Sequence, residues 1–310
     1  MTTLFIGLGM MGDPMVKRYA PAHATVLYDV NHDTATALAH ETGTQALDDI
    51  SELSPDITTV IMMLPNSRIV ESVVRGSTGL FARLPAGALI IDMGSSEPAS
   101  TRALAQEAAL VGLSYVDAPV SGGVSKATTG QLSIMVGGAP TDIERAMEHL
   151  QPLGTSITRV GPAGSGHAAK ALNNLLSATN LAAAAEILTV AKNFGIAAEV
   201  MIEVINTSTG RSQASEIKYP NHVLNGTFDS GFSMDLMLKD LAIAHTLSVD
   251  AGLQTPVTDS TVTTLVEARR VLDAAHLDHT EVARYYELVN DVELRTSHGT
   301  PTQEETPNDD

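Results

Sequence analysis

Leu4-Phe5-Ile6-Gly7-Leu8-Gly9-Met10-Met11-Gly12 is the stretch on which the fold turns. Three apolar residues read as a buried strand, three glycines follow with G-x-G-x-x-G spacing, and a helical segment, Pro14–Ala20, comes next. The spacing alone is weak, but a strand before it and a helix after it supply the context that the motif requires. Gly7 then permits a tight turn, Gly9 lets a diphosphate approach the backbone, and Gly12 lets helix and strand pack closely. The diphosphate would sit on free N–H groups at the positive end of the helix, beside Leu8, Met10 and Met11. Asp29 ends the second apolar run about 20 residues further on, where an acid suits the adenosine ribose hydroxyls. A carboxylate there repels a 2′-phosphate, and Val30-Asn31-His32 brings no arginine, so NAD is expected over NADP.

Outward from this loop, short apolar runs alternate with amphipathic stretches. Strands are expected at Leu4–Gly7, Thr25–Asp29, Thr58–Leu64, Ala88–Met93, Tyr115–Val120 and Ser133–Gly137. Helical periodicity separates them at Thr34–Thr42 and Ala99–Val111. Apolar strands alternating with helices predict an α/β domain with a doubly wound, mostly parallel sheet. Past the turn cluster Gly161-Pro162-Ala163-Gly164-Ser165-Gly166, strand signals nearly vanish. One long Ala- and Leu-rich helix is expected over 167–192, with others near 197–207, 234–251, 256–275 and 280–295. The reading is therefore an NAD-binding domain over 1–163, an all-α domain over 164–296 joined to it by the long helix, and a disordered acidic tail over 297–310.

Composition narrows the function. The 310 residues carry a net charge of −18, with 44% hydrophobic and 17% charged residues. Such acidity excludes a phosphate-displacing nucleic-acid surface. The absence of cysteine excludes disulfides, thiolate nucleophiles and Cys-zinc sites. No signal peptide is recognised, and no run of about 18 apolar residues stands out as a membrane span, so the cytoplasm is the expected location. The two histidines of His276-Leu277-Asp278-His279 have no third ligand at suitable spacing, so an exposed loop is expected there rather than a zinc site.

Two further segments carry chemistry. Asp117-Ala118-Pro119-Val120-Ser121-Gly122-Gly123 follows a strand, and Ser121 with two glycines offers a hydroxyl and unobstructed N–H groups suited to a carboxylate, or a plain turn. Pro119 stands where a hydrolase elbow would need its first glycine. Gly164-x-Gly166-x-x-x-Lys170-x-x-Asn173-Asn174 opens the long helix and puts at least one asparagine on the face of Lys170. Lysine in an apolar helix either reaches solvent along its stem or serves a site. Near a dry nicotinamide pocket its pKa would fall, which suits a general acid or base.

Gly7-Leu8-Gly9-x-Met11-Gly12-x-x-Met15, the 117–123 segment, the 164–174 segment and Lys239-Asp240 occur in this order in one chain. Together they resemble the β-hydroxyacid dehydrogenases, and within them the 3-hydroxyisobutyrate dehydrogenase group, over residues 3 to 292. The resemblance implies an N-terminal Rossmann domain and a C-terminal all-α domain like that of 6-phosphogluconate dehydrogenase, in a homodimer or homotetramer. It implies Lys170 as the catalytic residue, Ser121, Gly122 and Gly123 as binders of the substrate carboxylate, and Asn173 or Asn174 as holder of the substrate. Leu64, Pro65 and Asn66 would touch the adenosine and pyrophosphate side. Ser96 would stand near the nicotinamide, or cap a helix, and Lys239 would close over the cofactor from the second domain. The implied activity is reversible, NAD-dependent oxidation of a short 3-hydroxy acid, 3-hydroxyisobutyrate-like, to its semialdehyde.

Departures are few. Val16-Lys17-Arg18-Tyr19 replaces an Asn-Leu pair, and Asn206–Gln213 is polar for a segment facing an aliphatic substrate. Tartronate semialdehyde, succinic semialdehyde and sulfolactaldehyde reductases keep the same motifs. A non-catalytic nicotinamide-binding protein is the alternative from another class, against which Lys170 and both asparagines speak.

Overall fold

The computed structural model describes residues 2–295; the tail expected over 297–310 lies outside the described residues. By packing, the chain divides into two compact units: Met1–Leu175 with Lys239–Gln254, and Leu176–Leu238 with Thr255–Asp310.

The first unit is built on a sheet that holds nine strands among the described residues. They are β1 (Thr2–Ile6), β2 (Thr25–Tyr28), β3 (Gln45–Ala46), β4 (Ile57–Met62), β5 (Leu89–Asp92), β6 (Ser114–Asp117), β7 (Val120–Ser121), β8 (Leu132–Gly137) and β9 (Gly154–Gly161). The order is β3-β2-β1-β4-β5-β6-β8-β7, with β9 beside β8. Pairing is parallel from β3 across to β6; β8 runs antiparallel to β6 and β7. The sheet is thus mostly parallel and flanked by helices, as the alternation predicts.

Strand side chains alternate between two cores, the period-two behaviour of a sheet covered on both faces. Phe5, Ile61, Leu89 and Ile91 meet Met15, Val16 and Tyr19 of α1 (Gly12–Tyr19), Leu38 of α2 (His32–Thr42), Ala127 of α6 (Gly123–Thr129), and Ile143 and Leu150 of α7 (Pro140–Leu150). Leu4, Ile6, Val60, Met62 and Ile90 meet Val70 and Val74 of α3 (Ser67–Val74), Leu80 of α4 (Leu80–Arg83) and Leu104 of α5 (Pro98–Leu110). Two strands escaped the sequence reading. β3 has two residues, and β9 is mostly exposed, so neither shows an apolar run. The expected strand Tyr115–Val120 is split, because Ala118 and Pro119 interrupt it between β6 and β7.

Helix α8 (Ser165–Phe194) begins in the first unit and ends in the second. By length and composition alone it is apolar enough to cross a membrane, which the sequence reading did not find; buried helices of soluble proteins reach the same threshold, and 44% of its most apolar window is buried. The second unit continues with α9 (Ala198–Asn206), a π-helical segment over Ala214–Val223, α11 (Pro256–Leu272) and α12 (Val282–Asn290); α10 (Met234–Asp250) starts there and ends in the first unit. The stretch read as an exposed loop needs correction. His276 is exposed, but Leu277, His279, Thr280 and Glu281 are buried. Asp278 draws them in: its carboxylate accepts from Thr280 N–H, Gly231 N–H and the Ser230 hydroxyl, and it forms a capping box with Glu281.

Candidate active site

Every turn at the carboxyl ends of the central parallel strands carries a residue singled out in the sequence. β1 leads into the glycine loop, β2 into Asp29, β4 into Leu64-Pro65-Asn66, β5 into Ser96, and β6 through Pro119 into Ser121. The sheet order reverses beside β1, whose neighbours are β2 and β4, and such a switch point is where open α/β sheets bind ligands.

The glycine loop is shaped as a diphosphate requires. Gly7 has φ +91°, and a Cβ there would lie 2.4 Å from the Met63 carbonyl oxygen. A Cβ on Gly12 would lie 1.9 Å from Gly7 O, so helix and loop approach only because that side chain is absent. Around Gly9 a Cβ would meet nothing within 4 Å, leaving its face open to a ligand. Leu8 is buried, whereas Met10 is exposed and Met11 packs partly against the core. Asp29 is fixed beside the loop: one carboxylate oxygen accepts from Leu8 N–H (2.7 Å) and the other from Asn31 N–H (2.9 Å). These residues fit a nicotinamide dinucleotide.

Ser121 is half-buried; Gly122 and Gly123 are exposed, with φ +132° and +67°. Asn66 caps α3, its side chain accepting from Ile69 N–H at 3.0 Å. Ser96 does not cap α5, whose N-cap is Glu97. Its buried hydroxyl donates to Asp92 at 3.0 Å.

Lys170 retains some accessible surface but is crowded by protein, and burial lowers its pKa; Asp240 opposes that shift and Lys239 adds to it. Asn174, one turn along α8, donates through Nδ2 to Asp240 Oδ2 at 2.6 Å, while exposed Asn173 donates to Asn174 Oδ1 at 3.3 Å. Asp240, almost wholly buried, also accepts from the Ser95 hydroxyl at 2.6 Å. Lys239 donates to Pro65 O (2.9 Å) and Ser95 O (3.0 Å) and lies 3.8 Å from Asp240. Burial lowers its pKa, against the opposing pull of Asp240 and Asp92. An apolar patch of Ala171, Leu175, Ile243 and Ala244 adjoins this network. Lys239 was expected to reach over from the other domain, but its segment packs with the first unit. Asp240 and Ser95 escaped the sequence reading as site residues. The Lys239-Asp240 pair marked the position, but a long-range bond to Asn174 leaves no local signal.

The arrangement offers a crowded amine of depressed basicity, an amide held by a carboxylate, an N–H-rich turn and a dinucleotide loop, all within one unit. That is the equipment for moving a proton beside a redox cofactor.

Comparison with known proteins agrees. Residues 2–161 match the family described as the NAD binding domain of 6-phosphogluconate dehydrogenase, and 164–286 the one described as NAD-binding of NADP-dependent 3-hydroxyisobutyrate dehydrogenase. The chain is 36% identical to 2-(hydroxymethyl)glutarate dehydrogenase of Eubacterium barkeri, covering 94% of this chain and 96% of that one. It is 33% identical to 3-hydroxyisobutyrate dehydrogenase of Pseudomonas aeruginosa, covering 91% and 97%. The solved structure of Mycobacterium tuberculosis 3-hydroxyisobutyrate dehydrogenase with L-serine superposes with a TM-score of 0.85 at 30% identity, covering 92% and 98%. Sequence motifs, sheet topology and relatives converge: the chain belongs to the β-hydroxyacid dehydrogenase family and is an oxidoreductase acting on a small hydroxy acid with a nicotinamide dinucleotide.

Proposed function

We propose that the enzyme reversibly oxidises a 2-substituted 3-hydroxypropionate to its semialdehyde, with NAD preferred and Lys170 as general acid/base. The observation that carries the chemistry is the Lys170 amine, whose pKa is lowered by burial and which lies in the field of Asp240, the carboxylate that holds Asn174. A base works best when its pKa lies near the operating pH, and desolvation moves a lysine that way. In the oxidative direction the substrate hydroxyl gives its proton to the Lys170 amine as the C–H bond at the carbinol carbon breaks and its electron pair leaves as hydride. A nicotinamide dinucleotide held by the Gly7–Gly12 loop and Asp29 would supply the acceptor for that hydride. In the reverse direction the Lys170 ammonium returns the proton to the forming alkoxide. Ser121, Gly122 and Gly123 hold the substrate carboxylate, and Asn174, oriented by Asp240, holds the substrate, with Asn173 beside it.

The substrate class follows from chemistry shared by the relatives. 2-(Hydroxymethyl)glutarate, 3-hydroxyisobutyrate and the L-serine of the solved complex each carry a primary alcohol on the carbon next to the one bearing a carboxylate. They differ in the substituent at that middle carbon. Preference for NAD is supported by Asp29, whose carboxylate stands beside Leu8 where a 2′-phosphate would be repelled.

Two measurements test the reading. Lys170→Ala should lower kcat by about 10²–10⁴-fold while NAD affinity stays nearly unchanged. A loss below about tenfold removes Lys170 from the chemistry. Initial rates with NAD across 3-hydroxypropionates bearing hydrogen, methyl, amino or carboxyethyl at C2 identify the substituent, and the same series run from the semialdehydes fixes the favoured direction.

A further inference from the structure

Asp92 and Asp117 are the last residues of adjacent strands β5 and β6 and stand opposite one another in register. Both are fully buried. A buried carboxylate costs several kcal/mol unless hydrogen bonds replace its water, and a second one alongside raises that cost. Such a pair persists only where its surroundings are built around it.

The surroundings are the turns and the helix that carry the proposed chemistry. Asp117 accepts from Gly164 N–H at 2.8 Å through one oxygen and from His167 N–H at 2.9 Å through the other. These donors belong to the opening of α8, where backbone N–H groups lack intrahelical partners and the helix end attracts anions. The fit is tight. A Cβ on Gly166 would come 2.8 Å from one oxygen of Asp117, and a Cβ on Gly137 2.6 Å from the other. Asp92 accepts from Gly94 N–H (3.1 Å), the Ser96 hydroxyl (3.0 Å) and the Tyr115 hydroxyl (3.2 Å), and so closes the turn that bears Ser96. The buried ring of His167 lies between the two: Nε2 is 3.9 Å from Asp92 Oδ2, Nδ1 is 3.9 Å from Asp117 Oδ2, and Nδ1 pairs with the Thr101 hydroxyl at 2.8 Å. Lys170 follows His167 by three residues, on the same side of α8.

We propose that Asp92, Asp117 and His167 form a positioning cluster that sets where Lys170 stands relative to the Ser96 turn and the Ser121–Gly123 turn. The proposal rests on Lys170 being the proton carrier. A helix is stiff over one turn, so displacement of its opening is passed to Lys170. Proton transfer needs the donor and acceptor within about 2.6–3.2 Å, so a small displacement is felt in turnover. All three side chains are buried, and the cluster acts through the lysine.

A purely stabilising cluster would also tie these elements together, and a double-variant cycle separates the two roles. kcat, KM and NAD affinity are measured for Asp117→Asn, His167→Leu and His167→Gln, and for Asp117→Asn combined with Lys170→Ala. The expected result is a loss of about tenfold or more in kcat for Asp117→Asn and His167→Leu, with NAD affinity within about threefold of wild type. His167→Gln, whose amide can still pair with the Thr101 hydroxyl, should recover most of that loss. In the Lys170→Ala background, Asp117→Asn should change residual kcat by less than about twofold, because the group it positions is already gone. Independent losses that multiply in the double variant overturn the proposal. So does wild-type kcat in both Asp117→Asn and His167→Leu while Lys170→Ala is impaired. Full activity in Lys170→Ala would instead overturn the function proposed above, and this inference with it. Should Asp117→Asn fail to fold, the contrast between His167→Leu and His167→Gln carries the test.

Discussion

The first unit buries one histidine near the starts of its strands and another near their ends, and the two are treated differently. His149 pairs its Nδ1 with the Tyr19 hydroxyl at 2.5 Å and its Nε2 with Thr59 Oγ1 at 3.3 Å, with Glu148 Oε1 equally close to Nε2. Tyr19 also pairs with Thr3 Oγ1 at 2.9 Å and stacks on His23 at 4.2 Å. Burial pushes the Tyr19 phenol up to about 12 and His149 below its ordinary value. This group closes on itself, in contact with residues near the starts of β1 and β4. His167 is flanked by two buried carboxylates, and its Nε2 has no hydrogen-bond partner. Its partners reach outward into turns. Polar groups buried at strand starts hold the sheet; those buried at strand ends hold the loops in which candidate residues stand.

The contrast can be broken by substitution. His149→Leu should cost about 2 kcal/mol of stability, since it takes the Thr59 hydroxyl's partner and leaves the buried Tyr19 hydroxyl only Thr3, yet leave kcat within about twofold. Urea unfolding and turnover on the same preparation measure both, and a kcat loss above about tenfold would erase the distinction between the two ends. At the strand ends, Asp29→Ala should weaken NAD by about tenfold, equivalent to ~1.4 kcal/mol, and narrow the preference over NADP. Titration of both cofactors reads this directly, and a wild-type preference for NADP would reverse the role assigned to Asp29. The smallest effect sharpens the comparison through pH. Because burial lowers the folded-state pKa of His149, the unfolded chain takes up a proton first as pH falls below about 6.5. Stability present above that pH should therefore decline below it, and His149→Leu should flatten the slope.

Much of this was legible in the sequence because it is local. The glycine loop, Asp29, and the spacing of Lys170 to Asn173 and Asn174 are set by neighbours along the chain, and the alternation of apolar runs gave the sheet. What was not legible depends on partners far away in sequence. Asp240 meets Asn174 across 66 residues and Ser95 across 145, so neither bond could be inferred from spacing. The Ser96 hydroxyl looked free for a cap or a ligand, and only the fold shows that Asp92 occupies it. Strand β9 was hidden by its exposed side chains, and the burial of His279 depends on the hub made by Asp278 with a loop 47 residues upstream.

The return of Lys239–Gln254 to the first unit has a consequence for how this protein can be cut. The unit that carries the glycine loop is not a contiguous cassette: 63 residues of the other unit, Leu176–Leu238, are threaded between its two pieces. A fragment ending at residue 175 would keep Lys170 and Asn174 but lose Asp240, and would bare Ala171 where Ile243 and Ala244 had covered it. Recombining halves of this chain at residue 175 would therefore part Lys170 and Asn174 from Asp240, and a swap of specificity must carry both segments together.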